Sequence, residues 1–251
     1  MTHSQARLTK RQKRIATHNC EADELQKPLG GANFRLKPVQ PLTENQRKTF
    51  DAYKEGKHLL LHGIAGTGKT FLSLYLSLNT LYSGDSDYKK VYIVRSVLPT
   101  RDMGFLPGTQ KEKMQVYESP YYSIAAELFD RGDAYEILKQ KNCIEFISTS
   151  FIRGITLNNC IVIVDEMQNM TDMELHSIIT RVGKNCRIIF CGDFRQDDLS
   201  SDRRKEYSGI LNFMKILKTI PEFGFVEFEI DDIVRSKLIK QYLIARYNLG
   251  L

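Results

Sequence analysis

Features typical of extracellular, zinc-binding or membrane proteins are missing from this sequence. The five cysteines are scattered without a single C-x-x-C pair, and several of them lie inside apolar runs. This usage argues for buried thiols in a reducing compartment, and against a zinc site or a disulfide framework. No apolar run reaches membrane-spanning length, and the N-terminus is polar and basic rather than signal-like. We therefore expect a soluble, cytoplasmic protein without a membrane partner.

Length and charge indicate one large domain with a basic extension. With 251 residues and 42% hydrophobic content, the chain can bury a sizeable α/β core, whereas two complete domains would be cramped. Residues 1–40 hold eight Lys or Arg against three Asp or Glu, so most of the net charge of +6 lies there. We expect residues 1–33 to form a flexible basic arm and linker, and residues 34–251 to form the domain. The arm is either a solvated tail or a contact for the phosphate backbone of a nucleic acid.

Residues 63–70 match the phosphate-binding loop pattern G-x-x-x-x-G-K-[ST] at every fixed position. The glycines let the backbone turn tightly and bring its N–H groups against phosphate oxygens. Lys69 supplies positive charge for the outer phosphates, and the Thr70 hydroxyl is suited to ligate the magnesium ion that accompanies them. An apolar run precedes the loop and a helical stretch follows it, so the helix dipole would point at the anion. The predicted nucleotide-binding segment comprises Gly63, Ile64, Ala65, Gly66, Thr67, Gly68, Lys69 and Thr70.

Apolar runs alternate with helical stretches along the rest of the domain. We predict strands at residues 57–62, 91–94, 143–147, 161–164, 187–191 and 225–230. We predict a helix that begins near Thr43, and others at residues 71–78, 118–140, 172–182, 208–219 and 236–247. The β-branched run at 161–164 is typical of a central strand that is covered on both faces. Residues 101–109 carry too many helix and strand breakers for regular structure, and such a loop after a strand is where α/β proteins bind ligands.

Two carboxylates end the predicted central strand. Stability does not require acids there, but a magnesium-nucleotide site needs one carboxylate for the metal shell and one to polarise the attacking water. We assign Asp165 to magnesium and Glu166 to the water, with helix N-capping as the alternative. Gln196 follows the next strand and is suited to orient the water or sense the γ-phosphate. The alternative there is a turn closed by Asp193.

Gln46 also admits two roles. It lies three residues after Thr43, so it could complete a capping box at the start of a helix. Its amide can also donate and accept hydrogen bonds together, which matches an adenine edge.

Residues 63–70, 165–169 and 192–196 together resemble the nucleotide-site motifs of superfamily 1 helicases. The finer match is to PhoH-like proteins, a P-loop ATPase family related to those helicases. Further segments occur in that family's order, at Thr43-x-Asn45-Gln46 and at residues 104–108, 151–157, 208–210 and 232–235. The resemblance covers about residues 35–247. It implies an α/β fold with a single RecA-like P-loop core, a mainly parallel sheet and helices on both faces.

The resemblance also implies roles for single residues. These are Gln46 at adenine, residues 66–70 at the phosphates, Asp165 at magnesium, Glu166 at the hydrolytic water and Gln196 at the γ-phosphate. Arg235 falls where the family places a late arginine suited to an arginine-finger role, and Arg153 is a second candidate.

The chain differs from those helicases in one respect that bears on assembly. Helicases of that superfamily close a cleft between two RecA-like domains, and this chain has length for only one. The second wall would therefore come from another copy, and family relatives are thought to form rings. We expect a homo-oligomeric ATPase that hydrolyses ATP to ADP and phosphate and couples this to RNA or single-stranded DNA. A nucleic-acid-binding module that uses ATP as a conformational switch is the alternative, and a small-molecule kinase is disfavoured because Glu166 directly follows the metal carboxylate.

Overall fold

The computed structural model describes residues 34–84, 86–97, 110–194 and 205–249. The predicted basic arm, the predicted loop at residues 101–109 and Gln196 lie outside the described residues.

Six parallel strands form one sheet in the order β3-β2-β4-β5-β1-β6. The strands are β1 (His58–Gly63), β2 (Lys90–Arg95), β3 (Ile144–Ser148), β4 (Cys160–Asp165), β5 (Cys186–Gly192) and β6 (Phe223–Phe228). The helices are α1 (Glu44–Lys54), α2 (Lys69–Ser83), α3 (Gln110–Phe129), α4 (Ala134–Gln140), α5 (Asp172–Ile179), α6 (Lys205–Leu217) and α7 (Lys237–Asn248). This confirms the predicted α/β fold with a RecA-like parallel sheet.

Both faces of the sheet are covered, so two apolar layers form the core. Successive side chains of a strand point to opposite faces, as β1 shows. Leu59 and Leu61 pack in the layer that includes α2 and α3, whereas Leu60 packs in the layer that includes α5 and α6. In β4 all six residues are buried, which agrees with the prediction of a covered central strand.

The helical structure predicted over residues 118–140 is interrupted at residues 130–133. The structure has α3 and α4 instead, and the chain reverses between them at Asp130, which adopts a left-handed φ of 55°. The Arg131 N–H then bonds back to the Ala126 carbonyl at 3.1 Å, which closes the end of α3. Gly132 follows directly, so the break falls at residues that tolerate turns.

The parallel arrangement brings the loop at residues 63–70 and the carboxylates of Asp165 and Glu166 to one edge of the sheet. The carboxyl ends of parallel strands lie on the same side, so the loop after β1 lies near the ends of β4 and β5. Arg95 at the end of β2 is in register with Asp165 at the end of β4. None of the helices in the described part of the chain combines the length and the apolar character needed to cross a bilayer.

Candidate nucleotide-binding site

The phosphate-binding loop is held against the end of β6. Gly63 has a φ of 120°, and a Cβ atom placed on it would lie 2.1 Å from the Phe228 carbonyl oxygen. The Ile64 N–H donates to that same oxygen at 3.0 Å. Gly66 and Gly68 also have positive φ, at 80° and 88°. The backbone conformation favours glycine at all three positions, and at Gly63 close packing against Phe228 excludes any side chain as well.

Lys69 points into the loop and is almost fully enclosed. Its Nζ donates to the Ile64 carbonyl at 2.7 Å and to Thr67 Oγ1 at 3.2 Å. It also forms an ion pair with Asp193 Oδ1 at 2.9 Å, and only 4% of the Lys69 side chain is exposed. Asp193 therefore supplies the negative charge that a bound phosphate would supply.

Thr70 and Asp165 meet at the base of the loop. Thr70 Oγ1 donates to Asp165 Oδ1 at 2.8 Å, and the Tyr121 hydroxyl donates to Asp165 Oδ2 at 2.7 Å. Burial raises the pKa of Asp165, although the hydrogen bonds from Tyr121 and Thr70 oppose this rise. The carboxylate is thus buried with both oxygens fixed.

This pair fits a magnesium ion. Octahedral Mg²⁺ holds its ligands at about 2.0–2.1 Å, which places neighbouring ligand oxygens about 2.9 Å apart. Thr70 Oγ1 and Asp165 Oδ1 lie 2.8 Å apart because they share a hydrogen bond, so both oxygens are close enough to border one ion. Among the described residues, no group of three or more His, Cys, Asp or Glu side chains gathers into a metal cage. A site with one carboxylate and one hydroxyl suits Mg²⁺, which usually completes its shell with water and substrate phosphates.

Glu166 lies beside Asp165 in a left-handed backbone conformation, with φ 54° and ψ 42°. Its Oε2 accepts a hydrogen bond from Gln168 Nε2 at 2.6 Å, and its Oε1 lies 4.0 Å from Arg95 Nη2. The other end of the Gln168 amide accepts from the Asp193 N–H at 3.0 Å. Burial and the neighbouring Asp165 raise the pKa of Glu166, against the opposing charge of Arg95.

Gln46 lies next to the loop, and its amide is engaged at both ends. Nε2 donates to the Thr67 carbonyl at 3.0 Å, and Oε1 accepts from the Leu42 N–H at 2.8 Å. Thr43 caps α1 as predicted, since its side chain accepts from the Gln46 N–H. The Gln46 side chain, however, bonds to Leu42 rather than completing a capping box with Thr43.

The two candidate arginines lie at different places. The Val234 N–H donates to the Gly66 carbonyl at 3.1 Å, which docks the segment before α7 on the loop. Arg235 Cγ consequently lies 3.1 Å from the position that a Cβ atom on Gly66 would take. Arg153 is exposed in the turns after β3, the edge strand four places from β1. β3 lies about 19 Å from β1 at about 4.8 Å per strand, but the neighbouring Ile152 packs in the same apolar layer as Leu60 of β1.

Sequence comparison places this chain in a family. The family model of PhoH-like proteins matches residues 38–247. The chain belongs to the PhoH-like family. The PhoH-like protein of Mycobacterium leprae is 31% identical over 223 residues, which cover 86% of this chain and 62% of that protein. Protein PhoH of Escherichia coli K12 is 30% identical over 210 residues, which cover 83% of this chain and 58% of that protein.

This PhoH-like chain spans about three-fifths of the length of those relatives. Among solved structures, it is similar to the large terminase of a thermophilic bacteriophage, with a TM-score of 0.48 and 13% sequence identity over 81% of this chain and 50% of that one. The family assignment depends on the sequence matches alone.

Four residues of this PhoH-like site have contacts at the loop or the two carboxylates that the sequence did not predict. Gln168 and Asp193 fall within the motifs that carried the resemblance, so their positions were a usable signal. Arg95 ends a predicted strand next to the central one, which also placed it near the site. Tyr121 gave no signal, because a tyrosine in a helical stretch is far more often a core residue than a partner of a buried carboxylate.

Proposed function

We propose that this PhoH-like chain hydrolyses ATP to ADP and phosphate, with Mg²⁺ as its cofactor. The observation that carries the proposal is the contact between the Thr70 hydroxyl and the Asp165 carboxylate, at the foot of the loop into which Lys69 points. Mg²⁺ held there by Thr70 and Asp165 would neutralise phosphate charge.

In this proposal the loop and Lys69 bind the triphosphate. The backbone N–H groups of residues 66–70 and the N-terminus of α2 face the phosphates, and Lys69 exchanges Asp193 for phosphate oxygens. Lys69 does not have to move into the loop when the nucleotide binds, because its ammonium group is already held there. The exchange keeps the buried ammonium paired throughout.

Glu166 is proposed as the general base. Its carboxylate takes a proton from a water molecule while the water oxygen attacks the γ-phosphorus, and the bond to the bridging oxygen of ADP breaks. Burial of Glu166 supports this role, because a raised pKa makes the carboxylate a stronger base. Gln196, outside the described residues, remains our candidate for contact with the γ-phosphate.

The arginines are proposed to serve different copies of the chain. Arg235 lies against Gly66 of its own loop, so it is placed to act on the nucleotide bound by the same chain. Arg153 is exposed in the turns after β3, so it is available to a nucleotide bound by a neighbouring copy. We therefore propose a homo-oligomer in which Arg153 acts as the arginine finger across the interface.

We also propose that ATP hydrolysis is coupled to RNA or single-stranded DNA. It is supported by the basic charge of residues 1–33 and by the resemblance to helicase motifs. Deleting residues 1–30 should lower nucleic-acid affinity and flatten its salt dependence, while basal ATP hydrolysis stays intact. If the truncated chain and the full chain bind nucleic acid with equal affinity at every salt concentration, the arm has no part in the mechanism.

The test of the central proposal is phosphate release from ATP by the purified chain with Mg²⁺. Lys69→Ala should abolish turnover through loss of phosphate binding, and Glu166→Gln should abolish it with ATP binding retained. Lys54→Ala, at the exposed far end of α1, is the matched control and should hydrolyse ATP at the wild-type rate. Unchanged turnover in both site variants would refute the assignment. Tight ATP binding with negligible wild-type turnover, even with RNA or DNA present, would favour the switch alternative.

A further inference from the structure

Two cysteine sulfurs lie side by side at the end of the sheet away from the nucleotide loop. Cys160 begins β4 and Cys186 begins β5, whereas the loop and Asp165 lie at the carboxyl ends of their strands. The two cysteines are register partners in neighbouring strands, and both side chains pack in the same apolar layer. Their Sγ atoms are 3.3 Å apart. Neighbouring strands are about 4.8 Å apart, which falls within the range of Cα separations that a disulfide spans.

The chain enters both strands in the same way, and this holds the sulfurs together. Asn159 and Asn185 directly precede the two cysteines, and each has a left-handed φ of 51°. Asn185 Nδ2 donates to Asn159 Oδ1 at 3.2 Å, and the Cys160 N–H donates to the Asn185 carbonyl at 3.2 Å. The sulfur pair is therefore positioned by hydrogen bonds between the two strand entries as well as by side-chain packing.

The two thiols differ in how easily a reagent reaches them. Cys186 is partly exposed, and its Sγ donates to the Leu157 carbonyl at 2.9 Å. Cys160 is 1% exposed, and burial raises the pKa of its thiol. A small oxidant therefore meets Cys186 first, and Cys160 lies next to it as a second thiol. An accessible thiol beside a thiol that can resolve its first oxidation product is typical of redox-sensitive sites.

Cys143 and Cys191 have different surroundings. Both are buried. Cys143 Sγ donates to the Lys141 carbonyl at 3.5 Å, and Cys191 Sγ lies 3.1 Å from Ser73 Oγ. These two thiols therefore serve as internal references for the reactivity of the pair.

We propose that Cys160 and Cys186 form a peroxide-sensitive pair, which closes into a reversible disulfide and joins the starts of β4 and β5. The Cys186 sulfur attacks an oxygen of hydrogen peroxide and the O–O bond breaks, which gives a sulfenic acid and one water. The Cys160 sulfur then attacks the Cys186 sulfur. The S–O bond breaks, and the sulfenic hydroxyl leaves with the Cys160 proton as a second water. Two thiols are oxidised to one disulfide, and one peroxide is reduced.

The test treats the full chain with hydrogen peroxide, alkylates the remaining thiols under denaturing conditions and maps the peptides by mass spectrometry. We expect a link between the peptides that carry Cys160 and Cys186, and dithiothreitol should remove it. Two of the five thiols should be lost, while Cys143 and Cys191 are still alkylated. Oxidation of Cys186 without a linked peptide would overturn the proposal, and so would loss of Cys143 and Cys191 at the same rate as the pair.

Variants check that the link is specific. Cys186→Ser should give no linked peptide. Cys20→Ser removes a thiol that lies outside the described residues and should give the same link as the wild type. A link that disappears in Cys20→Ser would overturn the direct reaction between the two strand thiols. If Cys186→Ser fails to fold, the peptide map of the wild type decides the question alone.

Urea unfolding checks what the link does to the fold. Oxidation of the wild type should raise the unfolding midpoint by about 1 M, because the bond closes a loop across 26 residues and restricts the unfolded chain. Dithiothreitol should reverse this rise. An oxidised chain that unfolds at the same or a lower urea concentration would show that the sulfurs cannot bond without distorting the strands, which overturns the proposal.

Discussion

Replacing Asp193 with asparagine should tighten nucleotide binding rather than weaken it. The Asp193 carboxylate forms a 2.9 Å ion pair with Lys69, and phosphate oxygens that bind Lys69 must displace it. The Lys69 side chain is 4% exposed but that of Asp193 is 39% exposed, so solvent screens the pair. We therefore take about 1 kcal/mol for the pair, the upper end for solvent-accessible ion pairs. Removing the charge should lower the Kd for nucleotide by about fivefold.

Isothermal titration calorimetry with Mg²⁺ and a nonhydrolysable ATP analogue measures this change directly, without any assumption about turnover. Glu55→Gln is the matched control, because it removes a charge of the same sign from an exposed ion pair with Lys57 beyond the other end of β1. Its Kd should equal that of the wild type. If Asp193→Asn binds the analogue no more tightly than the wild type does, the ion pair does not compete with phosphate and the reasoning is refuted.

Three further predictions follow from burial, backbone conformation and charge. Glu166 must be ionised to act as a base, so kcat should rise with pH through a midpoint above the ordinary glutamate value of 4.5; a pH–rate profile already flat at that pH would contradict this. Gly63→Ala should cost about 3 kcal/mol or more in urea unfolding, because its Cβ would overlap the Phe228 carbonyl, whereas Gly132→Ala has open space and should be nearly neutral. Burial favours the neutral acid, but hydrogen bonds from Thr43, the Glu229 N–H and Asn45 lower the pKa of Asp232. The ionised Asp232 carboxylate therefore stabilises the fold fully above pH 3.8, and this stabilisation is lost as the pH falls further. The difference in unfolding free energy between the wild type and Asp232→Asn should therefore shrink on acidification, and a difference independent of pH would show that the charge is not involved.

The loop and the two carboxylates could be predicted from the sequence because local chemistry dictates them. A glycine-rich turn between an apolar run and a helix, with Lys69 and Thr70 at its end, is typical of phosphate binding, and acids at the end of a buried strand have no structural reason to be there. The sheet topology then brings them together, since Thr70 and Asp165 lie on separate elements and meet only in the folded chain.

Side-chain pairing was harder to predict, because it depends on atoms brought together by distant parts of the chain. Tyr121 bonds to Asp165 across 44 residues, and no local pattern marks it. Gln46 has the amide that could read a base, yet the sequence does not show that Thr67 and Leu42 occupy it. The break at Asp130 was missed for a related reason, since a single left-handed residue interrupts an otherwise helical composition.

The position of β1 in the sheet affects when the site can assemble during synthesis. This strand carries the phosphate loop near the start of the domain, but its two neighbours are β5 and β6, which end at Gly192 and Phe228. A ribosome must therefore release most of the domain before β1 gains its first partner, and the loop's contacts with Phe228 and Val234 form later still. Nascent chains that stop before these contacts form would lack a folded phosphate-binding loop. Binding to an immobilised nucleotide would therefore retain the chains in which these segments have been translated.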